Sequence, residues 1–351
     1  MTSITKPPVR HPSLPKNALG FTRRDYEGAM STLCAGCGHD SVTAALIQAV
    51  WELDLQPHRV AKMSGIGCSS KTTAYFLKQS HGFNGVHGRM PALATGANAA
   101  NRGLVYIGIS GDGDSLSIGL GQLCHAIRRN VNMAYVLENN GVYGLTKGQF
   151  SATSDKGSAS KKGVTNRDAA IDLAGIAIML GATFVARSFS GDKAQLVPLI
   201  KAAIQHRGVA FLDVISPCIA FNNHPGSTKS LDYVREHNEA LNYLDVMIGR
   251  EPIRLDQTSG SVEFVEQHDG SVLKLRKLAP DFDPTKRQAA LDYLQETQAA
   301  GEIVTGLLYV DTKAEDLHHK LNTSRKPLNA MHDAELCPGS GALEGVNAGL
   351  R

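Results

Sequence analysis

Five short, almost uninterrupted apolar runs separated by helical stretches fill the residues between Cys34 and Cys218, and this alternation restricts the chain more than anything else in it. The runs are Arg59–Met63, Leu104–Ser110, Met133–Glu138, Thr183–Arg187 and Ala210–Ile215. The stretches Asp40–Leu53, Ala92–Arg102, Leu116–Arg129, Asp168–Leu180 and Lys193–His206 space their apolar residues as helices do. A strand without polar alternation has to be covered on both faces. The pattern therefore predicts an α/β fold, a mostly parallel sheet with helices on both faces. Ligands of such sheets sit beyond the carboxyl ends of the strands, which makes the residues after each run the candidates for function.

Two of those strand ends carry matching polar turns. Leu104–Ser110 leads into Gly111-Asp112-Gly113-Asp114, and Met133–Glu138 into Asn139-Asn140-Gly141-Val142-Tyr143-Gly144. Each delivers an oxygen ligand to one rim of the sheet, which suits a hard cation such as Mg²⁺, an ion commonly shared with phosphates. The glycines admit a phosphate close to backbone N–H groups, and a helix expected to begin near Ser115 adds its positive end. A lone Gly-Asp-Gly reads more readily as a bare βα turn; the two turns together do not. The pair resembles the thiamine diphosphate (TPP) fingerprint, G-D-G followed by N-N. That resemblance implies that the Asp112 carboxylate, the Asn140 side chain and the Val142 carbonyl hold Mg²⁺. It also implies that Gly111, Gly113, Asp114, Gly144, Leu145 and Thr146 surround the diphosphate. The fingerprint gives a cofactor and no reaction.

The cysteines narrow the reaction. No apolar run approaches the roughly 18 residues of a membrane span, and the polar, proline-rich start shows no signal region, so a cytoplasmic, reduced setting is expected. Six cysteines in that setting are metal or redox candidates. Cys34 and Cys37 precede the first helix in Cys34-Ala-Gly-Cys37-Gly-His39, Cys68 follows the first strand, and Cys218 follows the last. All four fall at strand ends or helix starts, where four thiolates suit zinc or an iron–sulfur cluster, and spacing does not choose between them. Beside a TPP site zinc offers no electron chemistry, whereas a cluster takes up electrons. Cys124 is expected buried in a core helix, and Cys337 has no assigned role.

C-A-G-C-G-H, S-G-I-G-C-S-S-K, V-H-G-R-M-P-A-L-A-T-G, G-D-G-D-S-L-S-I-G and N-N-G-V-Y-G-L-T-K-G-Q, in this order, closely resemble the β subunit of the 2-oxoacid:ferredoxin oxidoreductases, nearest the 2-oxoglutarate branch. The likeness covers about Leu33 to Ala240, with Ala35 where the family usually has proline. It implies TPP, Mg²⁺ and one [4Fe–4S] cluster on Cys34, Cys37, Cys68 and Cys218, with Ile66, Gly67, Cys68, Ser69 and His87 beside the cofactor. It further implies an oxygen-sensitive hetero-oligomer in which an α (or fused γα) subunit completes the active site. The implied reaction is the reversible conversion of 2-oxoglutarate and CoA to succinyl-CoA and CO₂, with two electrons leaving through the cluster to ferredoxin. His87 is expected to touch the diphosphate or the reacting carboxylate, Arg89 an anion, and Lys71 the distal carboxylate of a dicarboxylic oxoacid.

Rival readings keep the cofactor and change the chemistry: pyruvate or a broad set of 2-oxoacids, or a non-redox TPP enzyme with structural zinc. A net charge of +3 over 351 residues, with basic residues scattered, excludes a nucleic-acid-binding surface as the main business of the chain. The common hydrolase and nucleotidase motifs are absent. The organisation expected is an extended arm over 1–29, the cofactor- and cluster-binding domain over 30–250, and a C-terminal extension over 251–351. That extension carries a hairpin at Ser261–Leu278 and a helix at Ala289–Ala300, after an amphipathic helix at Ser230–Met247. Ser151–Gly163, rich in Lys, Ser and Gly, reads as a mobile loop directly after the strongest motif.

Overall fold

The structure is a computed structural model that describes residues 11–160, 163–219, 251–268, 271–337 and 339–350. The amphipathic helix expected at Ser230–Met247 lies outside the described residues. In chain order the strands are β1 (Val60–Ser64), β2 (His81–Asn84), β3 (Val105–Gly111), β4 (Met133–Asn139), the two-residue pair β5 (Val142–Tyr143) and β6 (Gln149–Phe150), β7 (Phe184–Phe189), β8 (Val209–Ile215), β9 (Val262–Glu266), β10 (Val272–Lys277) and β11 (Ile303–Val310). Nine of them form one sheet in the order β2-β1-β3-β4-β8-β7-β11-β10-β9. The pairs from β2 across to β7 are all parallel; β11 runs antiparallel to β7, and β9 antiparallel to β10. The α/β architecture expected from the apolar runs is present.

Side chains alternate across the sheet and fill two cores. Along β4, Met133, Tyr135 and Leu137 enter one and Ala134 and Val136 the other. Helices α1 (Gly38–Glu52) and, further on, α6 (Lys193–Gln205) close the second core with Val42, Leu46, Val50, Leu196 and Ile200. Helices α3 (Met90–Ala100), α4 (Leu120–Arg129), α5 (Leu173–Met179) and α7 (Arg287–Ala299) close the first; α2 is the single turn Thr72–Tyr75. Each fully buried Leu, Ile or Val contributes about 1.5–3 kcal/mol, so the two layers supply the sheet's main stabilisation.

Register sets the site. Ser64 pairs with Ile109, Gly111 with Glu138, and Asn139 with Ile215, so β1, β3, β4 and β8 end level at one rim. The turns that carry Cys68, Asp112, Asn140 and Cys218 all leave from that rim.

Several elements differ from the sequence expectation. A wide, π-type turn over Gly113–Ile118 replaces the first turns of the helix expected near Ser115, and it lets the Ser115 hydroxyl reach back to Ser110 (2.8 Å) and Tyr135 (2.7 Å). Helix α5 starts at Leu173 instead of Asp168 because the Asp172 carboxylate caps it. The strand β11 was not expected, although its run is apolar; it bridges the parallel strands to the C-terminal hairpin, so the sheet continues across residue 250. Residues 11–29 are fastened to α1 and its C-terminal end. Tyr26 is fully buried, with its hydroxyl on the Leu55 carbonyl (2.8 Å), and the Trp51 indole donates to the Phe21 carbonyl (3.0 Å). Cys124 is half-buried.

Candidate active site

The Gly-Asp-Gly-Asp turn divides its two carboxylates between different tasks. Asp112 is buried and accepts hydrogen bonds on Oδ2 from the hydroxyls of Thr153 (2.6 Å) and Ser151. Burial pushes its carboxyl up, and the two hydroxyls oppose that shift. Asp114 instead gathers the neighbouring turns: it accepts from the Gly88 N–H (2.8 Å), the Ile66 N–H (3.3 Å), the Ser110 hydroxyl (2.8 Å) and His87 Nδ1 (2.6 Å). Residue 65 has to be glycine here, since a Cβ would lie 1.9 Å from the Asp114 carboxylate. Against a carboxylate the His87 Nδ1 is the donor.

The Asn-Asn-Gly turn lies opposite. Asn140 Oδ1 accepts from the Val142 N–H (3.1 Å), and its amide lies 3.3 Å from His39 Nε2. Tyr143 donates to the Gly113 carbonyl (3.0 Å), and its ring sits 2.5 Å from where a Gly113 Cβ would be, so the two turns interlock only through that glycine.

Between them is a cavity lined by Ile66, Gly67, Cys68, Ser69, His87, Gly111, Asp112, Gly113, Asp114, Asn140, Val142, Gly144, Leu145 and Thr146. Every residue expected beside the cofactor is on its wall. His39, Glu138 and Tyr143 line it too, and sequence reasoning assigned them nothing. Glu138 is fully buried and touches the Thr72 hydroxyl (2.9 and 3.1 Å) and His39 Nδ1 (3.5 Å). Burial pushes Glu138 well up and His39 down to about 4, so each favours its neutral form. The donor set fits a diphosphate with its cation: a buried carboxylate held by neutral donors, an amide, and glycines on both sides.

The cysteine segments converge beside this cavity. Cys37 caps α1, and the Gly38 N–H donates to the Pro217 carbonyl (3.0 Å), binding the first cysteine turn to the segment of Cys218. The sulfurs of Cys68 and Cys218 each lie 3.6 Å from the point a Gly144 Cβ would occupy. Cys37 lies within electrostatic reach of Cys218, and Cys68 of Cys34. Burial raises the Cys37 and Cys68 thiols, and Lys71 lowers that of Cys68. Lys71, at the end of the tight turn Ser69–Lys71, does not line the cavity, and its charge acts on the Cys68 thiol. Among the described residues no three of His, Cys, Asp or Glu are gathered to share a single ion.

Ser151 and Ser154 are buried, and Ser154 donates to the Gly141 carbonyl. The start of the segment read as a mobile loop is thus hydrogen-bonded to both motif turns. Only the density of hydroxyls after Phe150 could have signalled it.

Residues 65–214 match the family described as thiamine pyrophosphate enzyme, C-terminal TPP binding domain, and this part of the chain is a TPP-binding domain. The 2-oxoacid:ferredoxin oxidoreductase subunit beta of a Sulfolobus species is 44% identical over 191 residues, covering 54% of this chain and 63% of that protein. The 2-oxoglutarate synthase subunit KorB of Methanocaldococcus jannaschii is 36% identical over 233 residues, covering 64% of this chain and 84% of that protein. A solved 2-oxoglutarate:ferredoxin oxidoreductase from Magnetococcus marinus, with 2-oxoglutarate, coenzyme A and succinyl-CoA bound, is 29% identical, with a TM-score of 0.69, over 90% of this chain and 94% of that one. The chain spans 60% to 65% of the length of the first curated relatives it matches. No described helix is long and apolar enough to cross a membrane.

Proposed function

Because this chain belongs to the β subunits of the 2-oxoacid:ferredoxin oxidoreductases, we propose that it binds TPP, Mg²⁺ and a [4Fe–4S] cluster. With an α (or fused γα) partner it then carries out the CoA-dependent oxidative decarboxylation of 2-oxoglutarate to succinyl-CoA and CO₂, reversibly, with ferredoxin as electron acceptor. The names of the Methanocaldococcus and Magnetococcus relatives support 2-oxoglutarate over pyruvate. The cytoplasm, where thiols stay reduced, is the compartment that suits such a centre.

One observation carries the reading. Cys68 is at once part of the cavity wall and, with Cys218, a neighbour of Gly144, so a centre held by these sulfurs would share one turn with the cavity. When bound, TPP supplies the carbon nucleophile that decarboxylates a 2-oxoacid, and the cluster supplies a one-electron acceptor beside it. The chain's own residues bind and orient. Asp112, Asn140 and the Val142 carbonyl are assigned to Mg²⁺; Gly111, Gly113, Asp114, Gly144, Leu145 and Thr146 to the diphosphate surroundings. Cys34, Cys37, Cys68 and Cys218 are assigned to the cluster. His87, held through Nδ1 by Asp114, is assigned to the contact with the diphosphate or the reacting carboxylate, and Ile66, Gly67 and Ser69 close the thiol side. Lys71 we assign to the charge environment of Cys68.

The test is anaerobic purification of the chain with its partner subunit. About four iron and four sulfide per chain, a brown absorption band and an EPR signal that appears with 2-oxoglutarate and changes on adding CoA are expected. A colourless, zinc-loaded complex would sink the redox reading, and equal turnover of pyruvate would remove the choice of substrate.

A further inference from the structure

A buried carboxylate that is to receive a cation needs donors that hold it in place without neutralising it, because a Lys or Arg partner would compete with the metal for its charge. Around Asp112 those donors are the hydroxyls of Thr153 at 2.6 Å and Ser151, both on Oδ2, with the backbone N–H groups of Asp112 and Asn140 beside them. No cation of the chain is paired with Asp112 among the described ion pairs.

Thr153 has a further property. Its single proton has Asp112 Oδ2, Asn139 Oδ1 at 3.0 Å and the Ser151 hydroxyl at 3.2 Å in reach. The Asn139 oxygen is held towards Thr153 because its amide donates to Asp213 Oδ1 (3.1 Å). Asp213 is in turn fixed by Arg187 Nε (2.8 Å), and Arg187 also bonds Asp172. The hydroxyl can therefore donate to the carboxylate or rotate to donate to Asn139 without any heavy atom moving. Ser154, on the same turn, anchors the loop to the Gly141 carbonyl.

We propose that Ser151 and Thr153 are positioning residues for Mg²⁺ binding. They hold the Asp112 carboxylate in one orientation before the metal arrives, and Thr153 passes its hydrogen bond to Asn139 when a cation takes up the Asp112 lone pair. This rests on the assignment of Asp112 to Mg²⁺.

The experiment uses the complete complex, freed of TPP and metal by anaerobic gel filtration in EDTA. The Mg²⁺ concentration that gives half-maximal TPP uptake is then read from protein fluorescence. Thr153→Val and Ser151→Ala are expected to raise that concentration about 10- to 100-fold, the usual effect of removing a partner behind a metal ligand. Thr153→Ser, which keeps the hydroxyl, is expected to stay within about threefold of the parent, while the visible band of the cluster stays unchanged in all three. Asp112→Asn is expected to abolish Mg²⁺-dependent uptake. If Asp112→Asn abolishes uptake while Thr153→Val and Ser151→Ala match the parent, the positioning role is wrong and the cofactor assignment stands. If Asp112→Asn takes up TPP normally, the assignment itself is wrong. Should Thr153→Val lose the cluster band through misfolding, Ser151→Ala decides alone.

Discussion

The rim of the parallel strands and the C-terminal edge of the same sheet handle buried charge in opposite ways. At the edge, charges meet opposite charges: Glu302 takes Lys274 (3.0 Å) and Arg276, and Asp192 takes Lys277 (3.0 Å). Around the cavity, Asp112 meets dipoles instead, although Arg187 pairs with Asp213 and Asp172 elsewhere on the parallel strands. Asp112 rests on hydroxyls, and the Lys62 ammonium rests on the carbonyls of Thr73 (2.7 Å), Phe76 (2.5 Å) and Leu77 (3.0 Å); Glu138, which favours its neutral form, rests on Thr72. A charge already matched by a counter-ion has little attraction left for a ligand. Held by dipoles, it keeps its attraction and only its geometry is fixed. The ion pairs at the edge serve the fold; Asp112, held by dipoles on the cavity wall, is the group available to an incoming ion.

The largest effect expected from breaking this contrast is at Asp112. Asp112→Asn keeps the size and removes the charge, and turnover by the complex should fall a thousandfold or more, as expected when several kcal/mol of metal interaction are lost. Residual turnover near the parent's would show that the rim charge is not what binds the cation. Next comes Thr72→Val, which strips the hydroxyl from the buried Glu138. It should destabilise the complex by about 1–3 kcal/mol in urea unfolding, the cost of leaving a buried acceptor unsatisfied; an unchanged midpoint would mean that His39 alone suffices.

At the edge the expected effect is smaller and depends on pH. Arg276 and Lys274 hold the Glu302 carboxyl down to about 2, against an ordinary value of 4.5. The stability it adds is full above 4.5 and is lost as the pH falls towards 2. Glu302→Gln should therefore cost up to about 1 kcal/mol near neutrality, the scale of a partly exposed pair. Parent and variant should converge in acid unfolding curves, and a gap that widens with acid would reverse the assignment. Smallest of all, Lys71→Met should leave the KM for 2-oxoglutarate within about threefold of the parent, because the lysine lies off the cavity wall and its charge acts on Cys68. A KM raised for 2-oxoglutarate but not for pyruvate would restore it to the substrate.

The contrast also explains what the sequence reveals. Apolar runs impose themselves through burial on two faces, so all five expected strands appear within a few residues, and the glycine-flanked turns at their ends fall on one cavity. The strand β11 was equally apolar but sits between segments of unlike character, and nothing local says that it pairs with β7. His39, Glu138, Ser151 and Thr153 were not legible because each acts through a partner distant in sequence. Ser151 lies 39 residues from Asp112, and His39 lies 101 from Asn140. A serine-rich segment looks the same whether its hydroxyls face water or a carboxylate.

Strand register makes one stretch of this chain a fixed-length ruler. With Gly111 opposite Glu138 and Ser64 opposite Ile109, inserting one residue between Val105 and Gly111 would carry Asp112 about 3.3 Å along the strand and turn it to the opposite face. Loops around the rim can lengthen or shorten during evolution, but β3 has to keep its residue count for the cavity to survive.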